Sequence, residues 1–135
     1  MRLFQLGMSR LVFCLLVLGL VATCSARVIE ANGETFHSLI NSDEYVFVKF
    51  FTDSCRHCRE LWRPYRFLSR VLDEEVTLLE YSCTQDSSVC IELGLDGIPT
   101  LYLYHNGDMI AEYPHSDRSV DTMEAWVRDR MAEQA

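Results

Sequence analysis

Apolar and polar positions along this chain change period several times, and each change marks an element. Tyr45 to Phe51 reads Tyr-Val-Phe-Val-Lys-Phe-Phe, a nearly continuous aromatic and β-branched run that suits a strand covered on both faces. After Cys55 the apolar positions Leu61, Tyr65, Leu68 and Leu72 recur at helical spacing, which predicts an amphipathic helix. Pro64 lies inside it and predicts a kink. Val76 to Ser82 reads as strand again, and Asp86 to Leu93 as a short helix capped by Gly94. Leu101 to His105 predicts a strand, Asn106-Gly107 a hairpin turn, and Met109 to Tyr113 its antiparallel return. Val120, Met123, Val127 and Met131 make a closing helix with Trp126 and Val127 in the core, begun near Asp117 or Ser119. Upstream, Val28-Ile29 begins a short strand, and Asn32-Gly33 turns into a helical stretch carrying Phe36, Leu39 and Ile40. The order β-α-β-α-β-α-β-β-α predicts one α/β domain, a parallel core sheet finished by one hairpin.

Residues 1 to 26 follow a different logic. They hold Arg2, Arg10 and no acid, then an apolar run from Leu11 to Ala22. Twelve helical residues cover about 18 Å, short of the ~30 Å hydrocarbon core. Thr23-Cys24-Ser25-Ala26 is small throughout, as signal-peptidase cleavage requires. The expectation is a signal peptide, 1–26, a signal anchor being the alternative, and a mature domain, 27–135. The mature chain then carries no membrane span and enters an oxidising compartment with Cys55, Cys58, Cys83 and Cys90. Its C-terminal residues, Ala132 to Ala135, are not a KDEL-type signal. Residence in the endoplasmic reticulum lumen and secretion therefore both stay open.

Charge narrows the partners. Twelve basic residues against 20 acidic ones give a net charge of −8, which argues against nucleic acid as a ligand. Seven Phe, six Tyr and two Trp argue against disorder.

The chemistry sits in Cys55-Arg56-His57-Cys58. Two cysteines with this spacing at the first turn of a helix can close a small disulfide ring. Helix amides and the positive end of the dipole stabilise the first sulfur as a thiolate, and Arg56 and His57 add positive charge. Thiol–disulfide exchange fits this arrangement, with Cys55 attacking and Cys58 resolving the mixed disulfide. An inert structural disulfide is the blander alternative. A zinc half-site is another, although Cys83-x6-Cys90 makes a poor second half.

Val48-Lys49-Phe50-Phe51 followed by Cys55-Arg56-His57-Cys58 resembles the motif region of protein disulfide isomerase domains, in particular the subgroup with a lysine before the motif. Gly97-Ile98-Pro99-Thr100 is similar to the cis-proline loop of the thioredoxin fold, and the resemblance extends over about residues 28 to 131. It implies a thioredoxin fold, a central mixed sheet flanked by helices, and an enzyme: a secretory-pathway thiol–disulfide oxidoreductase. It further implies a cis Pro99, with Ile98-Pro99 clamping an extended substrate peptide, and a structural disulfide between Cys83 and Cys90, set against a second redox pair or free thiols. Arg118 resembles the family arginine that tunes the second cysteine, shifted by one residue. No cofactor or metal is implied, because electrons travel through sulfur. The implied partners are cysteine-containing client proteins, with glutathione or a luminal oxidase for recycling.

The chain also departs from that family. Thr52-Asp53-Ser54 stands where the family has Ala-Pro-Trp, so a flat apolar platform is lost and Asp53 opposes the thiolate. Arg56 replaces a glycine, and Pro64 falls one residue late. Lys49 stands where many relatives bury an acid that relays protons to the second cysteine. It either snorkels at a strand edge or reaches beneath the active site, and the second is preferred. His37, His105 and His115 are expected to be solvated. These departures motivate an alternative of another class: a secreted or luminal binding protein whose disulfide is structural and non-catalytic.

Overall fold

A computed structural model of the chain describes residues 27–135; the expected signal peptide lies outside the described residues. The elements are β1 (Val28–Ala31), α1 (Phe36–Leu39), β2 (Tyr45–Phe51), α2 (Arg56–Val71), β3 (Thr77–Ser82), α3 (Ser88–Glu92), β4 (Thr100–His105), β5 (Asp108–Glu112) and α4 (Val120–Gln134). They form one five-stranded sheet in the order β1-β3-β2-β4-β5.

β1, β3 and β2 are parallel, but β4 runs antiparallel to β2. The parallel core predicted from alternation therefore stops at three strands, and the mixed sheet implied by the resemblance is present. The cause is length. A return crossover must travel back along the sheet, about 20 Å for a six-residue strand. The five residues of α3 rise only about 7 Å. The chain re-enters the sheet at the end it left, so β4 starts beside the end of β2, with Thr100 opposite Phe50. That reversal carries Ile98 and Pro99 to the end of the sheet where the cysteine motif lies.

Period two along β2 divides the core. Tyr45 and Phe47 join Leu61, Tyr65, Leu68, Leu78, Met123 and Trp126 between the sheet and helices α2 and α4. Val46, Val48 and Phe50 face Phe36, Ile40, Leu79, Tyr81 and Val89 on the other side. Six of the seven β2 residues are buried, as expected for a strand covered on both faces. α2 runs unbroken through Pro64. Tyr65, wholly buried on that helix, donates its hydroxyl towards the carbonyls of Phe47 and Leu79, 2.7 and 2.9 Å away on neighbouring strands. Burial holds its phenol well above the usual value, and the nearby Glu80 adds to the shift. The phenol therefore stays protonated and pins helix to sheet.

One histidine departs from expectation. His105 pairs in register with Tyr45, stacks on its ring at 4.6 Å and is largely covered, because its edge of the hairpin lies over that ring. His37 and His115 are exposed.

Candidate active site

Cys55 is the N-cap of α2. Its backbone is extended, and its sulfur accepts a hydrogen bond from the Cys58 N–H at 3.1 Å. The sulfur thus occupies the position that a capping Ser or Asp oxygen normally takes, against the free amides and positive dipole end of a 16-residue helix. Cys55 is bonded to Cys58, with Cα atoms 5.2 Å apart. Cys55 is partly exposed and Cys58 is buried. Of the two sulfurs, the one favoured as thiolate is therefore also the one a substrate can reach.

The Ile98–Pro99 peptide bond is cis. The Ile98 carbonyl oxygen lies 3.8 Å from Cys55 Sγ, so the loop before β4 forms the wall beside the accessible sulfur. Upstream, Thr52-Asp53-Ser54 is tied into a turn. Cys55 N–H donates to the Thr52 carbonyl, Asp53 N–H to Thr84 Oγ1 at 3.0 Å, and Arg59 to the Asp53 carbonyl at 3.4 Å.

Arg56 and His57 share one carboxylate on their own helix. Arg56 Nε donates to Glu60 Oε1 at 3.0 Å, and His57 Nδ1 lies 3.3 Å from Glu60 Oε2, all three being exposed. The hydrogen bonds from Arg56 and then His57 hold the Glu60 carboxyl below its ordinary value. Glu60 was missed in the sequence, although its spacing from both cations on one helix was a readable signal. Arg118 lies across from them. With His57, Glu60, Leu61 and Ser116 it lines a pocket of about 230 Å³, and its Nε is buried without a hydrogen-bond partner.

Beneath the motif lies a buried ion pair. Lys49 shares the parity of Tyr45 and Phe47, so it points towards α2 rather than the opposite core. Register sets it directly across from Glu80 on β3, and its Nζ lies 2.9 Å from Glu80 Oε2. The ammonium sits 5.0 and 4.9 Å from the ring centroids of Phe51 and Tyr65. Lys49 is 2% exposed, which settles its placement beneath the site rather than at a snorkelling edge. A cavity of about 540 Å³ joins Lys49, Glu80 and Cys58 to the surface at Arg59, Trp62 and Arg63. Glu80 was also missed in the sequence. A lone acid in an apolar strand was the available signal, and the register that pairs it with Lys49 was not.

Cys83 and Cys90 form the second disulfide, Cα atoms 6.0 Å apart, joining the end of β3 to α3. Cys83 has the opposite parity to Glu80, and the pair packs on the α1/α3 side with Leu93, Leu95 and Ile98. Among the described residues no group of three or more His, Cys, Asp or Glu is gathered as metal ligands, and no helix is long and apolar enough to cross a membrane.

Comparison with known proteins fits this geometry. The thioredoxin family model matches residues 27–129. A probable protein disulfide-isomerase ER-60 of Schistosoma mansoni is 34% identical over 109 residues, covering 78% of this chain and 22% of that protein. Protein disulfide-isomerase 5-1 of Arabidopsis thaliana is 30% identical over 125 residues, covering 88% of this chain and 85% of that protein. The chain thus spans about a fifth of the first relative and most of the second. Among solved structures, human ERp44 superposes with a TM-score of 0.71 at 26% identity, covering 78% of this chain and 29% of that one. The J-Trx1 fragment of ERdj5 gives 0.69 at 25% identity, covering 76% and 50%.

Proposed function

This chain belongs to the thioredoxin family, and on that premise we propose that it is a thiol–disulfide oxidoreductase acting on protein cysteines in the secretory pathway. The observation that carries the reading is the placement of the Cys55 sulfur: partly exposed, capping a long helix, with its bonded partner Cys58 buried over a cavity that holds a carboxylate.

In the disulfide form, a client thiolate attacks Cys55 Sγ in line with the Cys55–Cys58 bond. That bond breaks, a client–Cys55 mixed disulfide forms, and Cys58 leaves as a thiolate that takes a proton. A second client thiolate then attacks the client sulfur of the mixed disulfide and expels Cys55 as a thiolate, leaving an oxidised client and a reduced pair. Reversal of the same steps reduces a client. Ile98 and Pro99 hold the extended client segment, since proline presents no competing N–H there.

The step that breaks the Cys55–Cys58 bond leaves a charge on the buried Cys58 sulfur, and its reversal needs one there. Glu80 serves as the group that exchanges its proton through the cavity, with Lys49 holding the carboxylate in place. This is the job an acid at the Lys49 position performs in relatives, moved one strand over. Arg56 and His57 act through Glu60 on the rim, and Arg118 supports the same rim from the opposite side. Clients are cysteine-containing proteins, and the pair is recycled by glutathione or a luminal oxidase. Residues 1–26 direct the chain into the endoplasmic reticulum, as its lumenal or secreted form.

The test is the reduction potential of the Cys55–Cys58 pair, obtained by equilibration in graded glutathione buffers, alkylation and mass mapping. A midpoint near about −180 mV marks a working exchange pair. A bond that stays closed below about −300 mV marks a structural one. The protein then becomes a binding module, and Cys55→Ser/Cys58→Ser leaves its biological activity intact.

A further inference from the structure

The outer face of α2 has a composition that the exchange reading does not use. Arg56, Arg59, Arg63, Arg66 and Arg70 recur at alternating intervals of three and four residues, so they form one stripe opposite the buried stripe of Cys58, Leu61, Tyr65 and Leu68. All five are exposed. The chain as a whole has 12 basic and 20 acidic residues. α2 alone has five arginines and one acid, Glu60. An ordinary solvated helix face mixes signs, because like charges three and four apart repel.

Little on the molecule neutralises this stripe. Glu60 engages Arg56. Arg66 lies 4.0 Å from Glu80 and stacks over Trp62 at 4.6 Å. Arg59 reaches only the neutral Asp53 carbonyl. Arg63 and Arg70 make no ion pair among the described residues. Trp62 and Phe67 flank the stripe, 47% and 55% exposed, which adds aromatic anchors of the kind that dominate binding surfaces. The stripe also starts at the reactive sulfurs, and the cavity beside Cys58 opens between Arg59, Trp62 and Arg63.

We propose that this face docks an acidic client segment, so that the favoured substrates carry Asp or Glu next to their reactive cysteine. The inference rests on the exchange reading and names its substrate class. From Arg56 to Arg70 the strip is about 21 Å long, which matches roughly six residues of extended peptide. Long polyanions fit it poorly, because the rest of the protein is acidic and repels whatever runs past the strip. A short acidic peptide meets the arginines with carboxylates, which guanidinium groups bind in bidentate fashion.

The test uses three disulfide peptides, identical except that four flanking positions are Glu, Gln or Lys. Stopped-flow rates of exchange are expected to be about ten-fold faster for the Glu peptide than for the Gln peptide at low salt, and slowest for Lys. The advantage should collapse at about 0.5 M salt. In Arg63→Glu/Arg70→Glu, whose fold is checked by circular dichroism, the Glu-to-Gln ratio should fall below one. A ratio near one in the unmodified protein, or one that the variant leaves unchanged, overturns the proposal while exchange stands. If no peptide reacts, the exchange reading fails. The strip is then judged alone by titrating a cysteine-free Glu peptide against tryptophan fluorescence, with the variant as control and absence of binding as the overturning result. Self-association of the protein through the strip, lost in the variant and without any peptide preference, also overturns it.

Discussion

The two disulfides of this domain differ less in themselves than in what surrounds them. Cys55–Cys58 and Cys83–Cys90 each close a short loop, with Cα atoms 5.2 and 6.0 Å apart. The first caps a 16-residue helix and overlies a buried ion pair and a cavity. The second joins a strand end to a five-residue helix and packs among leucines on the opposite face of the sheet. Surroundings of the first kind favour a thiolate and set the Glu80 carboxylate in the same cavity as Cys58. Surroundings of the second kind offer neither, and favour keeping the bond shut. The two regions still touch through backbone: Cys83 N–H donates to the Phe51 carbonyl at 2.8 Å, and Thr84 holds Asp53. The Cys83–Cys90 bridge is thereby tied to the turn that leads into Cys55.

The largest expected effect separates the two bonds by function. Cys55→Ser should reduce peptide exchange to the uncatalysed background, whereas Cys83→Ala/Cys90→Ala should keep most of the rate. Comparable losses in both variants would sink the division drawn here.

Next comes the ion pair beneath the first bond. Glu80→Gln should slow the step that needs the Cys58 thiolate by about 10²-fold. It should also cost about 3 kcal/mol of stability, because it leaves the Lys49 ammonium buried without its counter-charge. Replacing both, as Lys49→Met/Glu80→Met, should recover most of the stability but not the rate. Single-turnover kinetics and urea titration read the two effects apart, and recovery of the rate in the double variant would remove Glu80 from the mechanism.

A smaller effect belongs to the second bond. Its sequence separation of seven predicts that the double alanine variant loses about 2.5 kcal/mol through the entropy of the unfolded chain. For a domain of this size that is roughly 10 °C in Tm. A Tm unchanged within error would mean the bridge does not constrain the unfolded state.

The smallest is a pH effect at the base of the same region. Asp86 accepts hydrogen bonds from the Ser88 hydroxyl, the Ser88 N–H and the Gly33 N–H, which lower its pKa from 3.8 to about 2. A pKa depressed by folding stabilises the native state above the unfolded value, and that contribution is lost as pH falls through the folded one. Asp86→Asn should therefore lower stability at neutral pH slightly and flatten its decline between about pH 4 and pH 2, read from acid titrations followed by circular dichroism. A decline as steep as in the unmodified protein would place the acid sensitivity elsewhere.

Much of this comparison was legible in the residues. The cysteine spacing, the helix that follows it, the apolar β2 and the Ile98-Pro99-Thr100 segment are local patterns, and each appears where its pattern placed it. The failures are also instructive. Alternation of helices and strands predicts a parallel core sheet finished by one hairpin; β1, β3 and β2 are parallel, but α3 is too short to return the chain, so β4 is reversed. His105 is expected to be solvated because it lies on a predicted surface segment beside the Asn106-Gly107 turn, yet its neighbour across the ladder is Tyr45. Arg56 and His57 both pair with Glu60, a partner one helical turn away that the cysteine motif does not reveal.

What the sequence determined by itself was the set of parts: which segments are helix or strand, which sulfurs can form the small ring, and that a lone lysine must find a place among apolar neighbours. Propensity and period are properties of neighbouring residues, and they survive without knowledge of the fold. Tertiary structure decided the pairings. Only the register of β2 on β3 sets Lys49 against Glu80, and only the parity of β3 sends Glu80 and Cys83 to opposite faces. The reversal of β4 alone brings Ile98 to within 3.8 Å of the Cys55 sulfur. Each is a contact between residues distant in the chain, fixed by how strands align and how far a short helix can carry the backbone.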